Sequence, residues 1–312
     1  MLARLRLLGL LAGCALLSAH SLPLYAQTSL PSEGSGLIGW DGMSRFNILV
    51  LGVDNRPTER TSLSARTDTI LLGSYNPQTG EVGVLSIPRD MHVASFDGIL
   101  QRVNTLLILG ERMQKGGGPR YAMDVIGYNL GMTIDAYLLF DFYAFQRLID
   151  ALGGVWIDVP YTINDPLFPD MNYGYDPLYL RRGLQLLNGY NALRFARTRH
   201  GDNDYVRGQR QLMVLMAVYR QLKDINNLQA FLNQAPRLVL ELNGHVYSDL
   251  SPQEIVSLGL SMLAQDESRV RVGALNEQYS YFTVSGGSQV RVPNPDKLPE
   301  LLYSVFGDRY WE

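Results

Sequence analysis

The chain alternates short continuous apolar runs with longer stretches of helical periodicity. The first clear run is FNILVLG at 46–52, which ends in glycine and predicts a strand buried on both faces. TILLGSY (69–75) and VGVLSI (82–87) read the same way, and Asn76-Pro77-Gln78-Thr79-Gly80 between them predicts a hairpin turn. Helical spacing runs from Arg120 to Gly131 behind Gly116-Gly117-Gly118-Pro119, a flexible loop without the lysine and hydroxyl residue of a phosphate-binding loop. AYLLFD (136–141) predicts a strand, and Phe142–Leu152 a helix stopped by Gly153-Gly154. VWIDV (155–159) predicts another strand, and Asp165–Tyr179, rich in Pro, Tyr and Asp, a long irregular loop. Leu184–Phe195 predicts a short helix followed by a strand or extended segment. Tyr205–Lys223 is a helix with Asp204 as its candidate N-cap. Beyond it come a helical stretch near Leu228–Leu242, a helix entered through Ser251-Pro252-Gln253-Glu254, a strand near Val270–Leu275 and a closing helix over Asp296–Phe306. Mixed, partly alternating strands and helices of this kind define the α/β class. Neither repeats nor a second linker interrupt residues 45–312, which read as one domain.

The N-terminus follows a different pattern. Arg4 and Arg6 precede the apolar run Leu7–Ala19, which is short for a bilayer span and fits the hydrophobic part of an export signal. Leu24-Tyr25-Ala26 before Gln27 suits cleavage. Two other readings stay open: Leu11-Ala12-Gly13-Cys14 resembles a lipidation site at Cys14, and the segment can stay uncleaved as a membrane anchor. Residues 1–26 are therefore an export signal or anchor, and 27–44, rich in Ser, Gly and Pro, a flexible tether.

Composition narrows the chemistry. Of 312 residues 46% are hydrophobic and 18% charged, enough apolar material for a sizeable core, and the net charge of -3 argues against a nucleic-acid partner held by bulk charge. Cys14 is the only cysteine, and His20, His92, His200 and His245 have no metal-ligand spacing, so neither a thiol nucleophile nor a zinc site is expected in the folded part.

Anion handling must then come from local clusters, and three segments offer them. Asp54 closes one predicted strand and Asp68 opens the next, so two carboxylates at strand ends could hold a hard cation; as single residues each also suits a turn or cap. Arg89, in Ser86-Ile87-Pro88-Arg89-Asp90, follows an apolar strand directly, where an unpaired charge is costly; it pairs with Asp68 or Asp90, or binds an anion. The richest segment is Arg194-Phe195-Ala196-Arg197-Thr198-Arg199-His200, followed by Asp202, Asp204, Arg207, Arg210 and Gln211. Arg197 and Arg199 point the same way in an extended segment, while Arg207 and Gln211 share a face at a helix start. Arginine stays protonated, so it cannot act as acid or base, but it binds phosphate through charged hydrogen bonds worth about 1.5–3 kcal/mol each. Several arginines together suit a pyrophosphate and the charge of phosphoryl transfer.

GVD, ARTDTILL, SIPRDMHV, QRVN, ALGGVWIDV and RTRHGDNDYVRGQRQ occur here in that order. With this series the chain resembles the LytR–CpsA–Psr family of exported bacterial cell-envelope proteins over most of Phe46–Asp224. The resemblance implies an α/β/α sandwich around a mixed sheet, with a hydrophobic pocket for a polyprenyl carrier. It implies transfer of a glycopolymer phosphate (teichoic acid, capsule or arabinogalactan) from polyprenyl pyrophosphate to peptidoglycan or another wall acceptor, at the outer face of the cytoplasmic membrane or in the cell wall. It places Asp54 and Asp68 on the Mg²⁺ (or Mn²⁺) ligands, and Arg89, Arg197, Arg199, Arg207 and Gln211 on the pyrophosphate. Asp204 becomes a base or metal-side carboxylate, or a helix cap only. Two features depart from the family: Arg102 stands where lysine is common, and the leader is shorter than the usual anchor. The pocket lining is expected from Leu106, Leu107, Ile108, Leu109, Met123, Ile126, Phe140, Phe142, Phe145, Leu148 and Ile149. Two rival functions share this site: a non-catalytic envelope regulator that sequesters polyprenyl phosphates, and a pyrophosphatase that uses water as acceptor.

Overall fold

The computed structural model describes residues 42, 44–54, 63–170, 174–199 and 204–311. The export segment, nearly all of the tether, His200 and Asp202 lie outside them.

Three strands lead the fold: β1 (Phe46–Val53), β2 (Thr67–Asn76) and β3 (Glu81–Ser86). A small hairpin, β4 (His92–Ala94) with β5 (Leu100–Arg102), precedes helices α1 (Leu106–Met113) and α2 (Gly118–Leu130). Next come β6 (Ala136–Asp141), α3 (Phe142–Ala151), β7 (Val155–Val159), β8 (Ile163–Asp165), β9 (Leu178–Leu180) and β10 (Gly183–Leu187). Helices α4 (Gly189–Arg197), α5 (Asp204–Lys223) and α6 (Ile225–Glu241) lead to β11 (Val246–Ser248), α7 (Pro252–Leu263) and β12 (Val270–Ala274). A last hairpin, β13 (Ser280–Ser285) with β14 (Ser288–Pro293), and helix α8 (Leu298–Phe306) close the chain.

The central sheet has the order β11-β6-β1-β2-β3-β12. It is mixed: β1 runs parallel to β6 and antiparallel to β2, while β3 runs antiparallel to β2 and parallel to β12. The period of two explains why β1 is apolar throughout. Leu49, Leu51 and Val53 point into a core shared with Leu106, Leu107, Met123, Ile126 and Leu301. Phe46, Ile48 and Val50 point the other way, towards Leu138, Leu250 and Leu258. Helices α1, α2 and α8 thus cover one face, and α7 packs on the other. Helix α8 lies close on the sheet because β3 offers a glycine there; a Cβ on Gly83 would meet the Val305 carbonyl at 2.5 Å. A third core joins β7, β8 and β9 to α4 and α5 through Val155, Ile157, Leu178, Phe195 and Val214.

The expected strands and helices are found with one inversion. Over Leu184–Phe195 the strand comes first and the helix second. Leu184 and Leu186 alternate outward on β10, which pairs with β7, and Asn188 then caps α4 by accepting from the Asn191 amide. Asp204 is the first residue of α5. Ser251 and Glu254 form a reciprocal capping box at α7. No helix among the described residues is long and apolar enough to cross a membrane.

Candidate active site

The polar residues expected to act together converge at one end of the sheet. Asp54 follows β1, and β2, antiparallel to it, brings Asp68 alongside. Arg89 comes from the turn after β3, Arg197 and Arg199 from the end of α4, and Asp204, Arg207 and Gln211 from the first turns of α5. Their charges interlock. Arg89 Nη1 lies 2.5 Å from Asp68 Oδ1, and Arg89 Nε lies 3.8 Å from Asp90 Oδ2 and 3.9 Å from Asp204 Oδ2. Arg197 Nη2 is 3.3 Å from Asp54 Oδ2. Arg199 Nη2 and Arg207 Nη2 approach Asp204 Oδ1 at 3.1 and 3.4 Å. Gln211 Nε2 reaches the Asp68 carbonyl at 3.5 Å. Arg89 thus reaches both carboxylates that its sequence context offers, Asp68 and Asp90, and Asp204 as well.

Beside this cluster opens a cavity of 780 Å³. Asp54, Asp68, Arg89, Arg197, Arg199, Arg207 and Gln211 line its polar end. The rest is apolar. Phe140, Phe142, Phe145, Leu148 and Ile149 line it as expected. Leu106, Leu107, Met123 and Ile126 do not; they belong to the core on the opposite face of the sheet, because α1 and α2 pack there. Ile108 and Leu109, also on α1, are likewise absent from the lining. Lining missed by sequence reading includes Val214, Leu215, Val218, Leu222 and Phe231 from α5 and α6, and Leu138, Phe168 and Leu193 from elsewhere in the fold. Arg207, Gln211, Val214 and Val218 follow helical spacing, so a single face of α5 passes from cations to apolar side chains. Arg197 marks the junction, its guanidinium 4.1 Å from the Phe142 ring centroid.

Burial and crowding set the protonation states. Burial, then the nearby Asp68 charge, pushes the Asp54 carboxyl up, against Arg197 and Arg89. Burial pulls the Arg197 guanidinium down, and Asp54 and Asp68 oppose it. Burial also works against the charge on Arg89, but Asp68, Asp90 and Asp204 outweigh it and hold Arg89 above its ordinary value. The sharpest contrast is between two neighbouring carboxyls. Burial and the hydrogen bond to Asp90 push Asp204 up to about 6, against the pull of Arg199 and Arg89. Burial opposes the Asp90 charge too, but Asp204, Arg102 and Arg89 hold its carboxyl below the usual range. The two carboxyls can bond to each other only while one carries a proton. Once ionised, Asp204 leaves Oδ2 buried with no hydrogen-bond donor, and Arg89 Nε is a buried donor with no acceptor. Orphaned groups facing each other in a cleft are what a substrate's hydroxyl and phosphate oxygen would satisfy.

A supporting network around Arg210 was not singled out by sequence reading as positioning the site. Arg210 is only 1% exposed. It donates to the Thr198 carbonyl at 2.6 Å and to Tyr161 Oη at 2.9 Å. Thr198 Oγ1 in turn donates to the buried Asp165 at 2.7 Å. These bonds fix the backbone between Arg197 and Arg199 and so aim both guanidiniums. Arg210 has no separate signal in the sequence, where it stands between Gln209 and Gln211 beside Arg207; its burial is set by the packing of the helix. Arg210→Lys, which keeps charge but loses the fork, is expected to raise the KM for the donor more than it lowers kcat. Steady-state kinetics on a variant of unchanged helix content checks this, and unchanged kinetics would remove Arg210 from the site's support.

Fold and site together set an apolar cavity beside a cluster of arginines and aspartates at one end of a mixed sheet. The chain belongs to the LytR_cpsA_psr family, whose model matches residues 29–300. An uncharacterized protein of Staphylococcus aureus is 29% identical over 71% of this chain and 52% of its own. The polyisoprenyl-teichoic acid–peptidoglycan teichoic acid transferase TagU of Oceanobacillus iheyensis is 30% identical over 68% of this chain and 61% of its own. The chain thus spans between about half and three fifths of these relatives' lengths. The solved structure of TagT bound to LIIa-WTA superposes with a TM-score of 0.64 at 22% identity, covering 92% of this chain and 99% of that one. At that identity the likeness establishes the fold, an α/β/α arrangement on a mixed sheet.

Proposed function

We propose that the protein moves a glycopolymer phosphate from a polyprenyl-pyrophosphate carrier to a hydroxyl of the cell wall, such as one on peptidoglycan. The observation that carries this reading is the continuity of an apolar cavity of 780 Å³ with a cluster of four arginines. The relative named as a teichoic acid transferase supports the same reaction class. Burying a prenyl tail stabilises the complex by about 0.8 kcal/mol per CH₂, so the carrier is held by its tail and oriented by its head. Arg89, Arg197, Arg199, Arg207 and Gln211 bind the pyrophosphate oxygens. Arginine forks hold both phosphates and oppose the negative charge that builds as the bridging bond lengthens. The acceptor oxygen bonds to the glycan-linked phosphorus, the bond to the bridging oxygen breaks, and polyprenyl phosphate leaves with that oxygen. The acceptor's proton passes to Asp204.

Asp54 and Asp68 suit a Mg²⁺ or Mn²⁺ ion. They are hard oxygen donors, two carboxylates are enough where a pyrophosphate supplies further ligands, and their mutual repulsion is what a cation relieves. Among the described residues no group of three or more His, Cys, Asp or Glu could hold a metal ion, so a cation on these two carboxylates would need oxygens of the pyrophosphate to complete its ligands. Such an ion would supply charge neutralisation to the pyrophosphate. The outer face of the cytoplasmic membrane or the wall is the matching location, since the carrier's tail and the acceptor meet there.

Leu148 lines the cavity away from the charges. Leu148→Trp is expected to weaken binding of a long-chain polyprenyl pyrophosphate by about tenfold or more, equivalent to about 1.4 kcal/mol. Binding of geranyl pyrophosphate, whose tail is short, should change little. Equal long-chain binding by wild type and a folded variant would show that the tail does not use this cavity.

A further inference from the structure

Helix α5 has two working faces. Arg207, Gln211, Val214 and Val218 face the cavity. Gln209, Leu212 and Met216 lie on the opposite side and line a second groove of 480 Å³, with Trp156 of β7 and Val272 and Asn276 at the sheet edge. The groove mixes exposed apolar surface with polar groups. Trp156 is 55% exposed and Val272 43%. Gln209, Asn276, Asp158 and Arg220 supply amide, carboxylate and guanidinium groups along it.

The groove leads towards the candidate active site. Tyr205 is one turn before Gln209 on the same helical face and directly follows Asp204. Asn276 leads into Glu277, which lies 4.0 Å from Arg291 on β14. The Arg291 guanidinium sits 5.8 Å from the Tyr205 ring centroid and 4.1 Å from that of Phe282, its cross-strand partner. Phe282 is 57% exposed. Val290 and Val292 anchor the hairpin by their burial, and β14 packs against β4, so this aromatic shelf is held beside the site. From Tyr205 to Met216 the helix face runs about 16 Å, at 1.5 Å per residue.

We propose that this groove, from Trp156 to the Tyr205–Arg291–Phe282 shelf, binds the acceptor glycan of the proposed transfer. Three arguments select that occupant. Attacking and leaving oxygens lie roughly in line across the phosphorus, so the acceptor approaches from the side opposite the carrier. The cavity and the groove occupy opposite faces of α5, with Asp204 at the helix start between them. Exposed aromatic rings interspersed with amide and charged side chains match a chain of sugar rings, which present apolar ring faces and hydroxyl edges. The inference rests on the proposed function for its role, but binding can be tested without it.

Soluble β-1,4-linked N-acetylglucosamine hexasaccharide and peptide-free glycan strands are the probes, titrated into the full chain by calorimetry or NMR. Trp156 and Phe282 are exposed, and neither belongs to the arginine–aspartate cluster. Trp156→Ala and Phe282→Ala should each weaken glycan binding about five- to tenfold, in keeping with about 1–1.4 kcal/mol per lost aromatic platform. Both variants should raise the KM for acceptor while leaving donor KM and kcat near wild type. Arg89→Ala should leave glycan binding unchanged. Three results would overturn the proposal: no glycan binding by wild type that still binds polyprenyl pyrophosphate, glycan binding lost in Arg89→Ala but not in the groove variants, or binding only of peptide-bearing fragments. If polyprenyl pyrophosphate fails to bind while glycan binding persists, the proposed function fails and the groove stands as a glycan site.

Discussion

Asp204→Asn is expected to slow transfer by about 100- to 10,000-fold, the usual contribution of a positioned general base. Binding of the lipid-linked donor should change little, because the arginines remain. The reason lies in the contrast between Asp204 and Asp90. Burial and Asp90 push Asp204 up to about 6, so above that pH it is a carboxylate with an unsatisfied Oδ2 and a real affinity for a proton. The wild-type rate should therefore rise with pH through about 6 and then level, while the variant shows no such limb. Asp90→Asn removes one of the charges that raise Asp204, and should move the limb to lower pH. A stability signature follows with a definite sign. The folded-state pKa of Asp204 lies above the ordinary carboxylate value, so the folded protein holds a proton that the unfolded chain has lost. Stability attributable to this group is highest at low pH and falls as pH rises from the ordinary carboxylate range through about 6. Asp204→Asn escapes that loss, and without substrate its melting temperature should exceed wild type at pH 7.5 but not at pH 4. Thermal melts at the two pH values check the sign. A variant with a wild-type rate and pH profile would place the base elsewhere.

Arg89→Ala is expected to cost about 100- to 1,000-fold in kcat, the scale for losing one preorganised donor to developing charge. Arg89 is the hub of the cluster, reaching Asp68, Asp90 and Asp204 at once. Its loss withdraws a buried donor from the pyrophosphate and leaves three carboxyls with less counter-charge, so donor binding should weaken as well. Arg89→Lys restores the charge without the planar fork and should recover only part of the rate. Single-turnover kinetics with saturating donor separates the two losses. Recovery of the full rate by lysine would reduce Arg89 to a point charge.

Much of this site was legible in the chain because its chemistry depends on residue type. Arginines flanked by apolar residues must find anions, and Arg89, Arg197, Arg199 and Arg207 all meet at the cavity mouth. The strands β1, β2 and β3 were equally plain, since continuous apolar runs of that length have few other fates. What failed depends on placement. LLIL at 106–109 is apolar enough to line a pocket or a core, and only the topology sends α1 to the far face of the sheet. Leu184–Phe195 reads as a helix followed by a strand, yet Leu184 and Leu186 are exposed on a two-stranded ribbon that precedes the helix. The first strand of the hairpin from Ser280 to Pro293 carries exposed Tyr281, Phe282 and Val284, and only Val290 and Val292 on the second are buried apolar residues, so the pattern was weak, although Gly286-Gly287 marked its turn. Asp165 sat in a stretch that reads as loop, and its buried bond to Thr198 is a tertiary fact.

The most direct test mixes purified protein with a polyprenyl-pyrophosphate-linked phosphoglycan and a wall-glycan acceptor, and follows glycan and lipid products together. The account predicts a phosphodiester between glycan and acceptor, one polyprenyl phosphate released per bond formed, a rate that depends on acceptor, and little product from Arg89→Ala. Tight lipid binding without turnover, lipid release at a rate indifferent to acceptor, or equal yields from wild type and Arg89→Ala would contradict it.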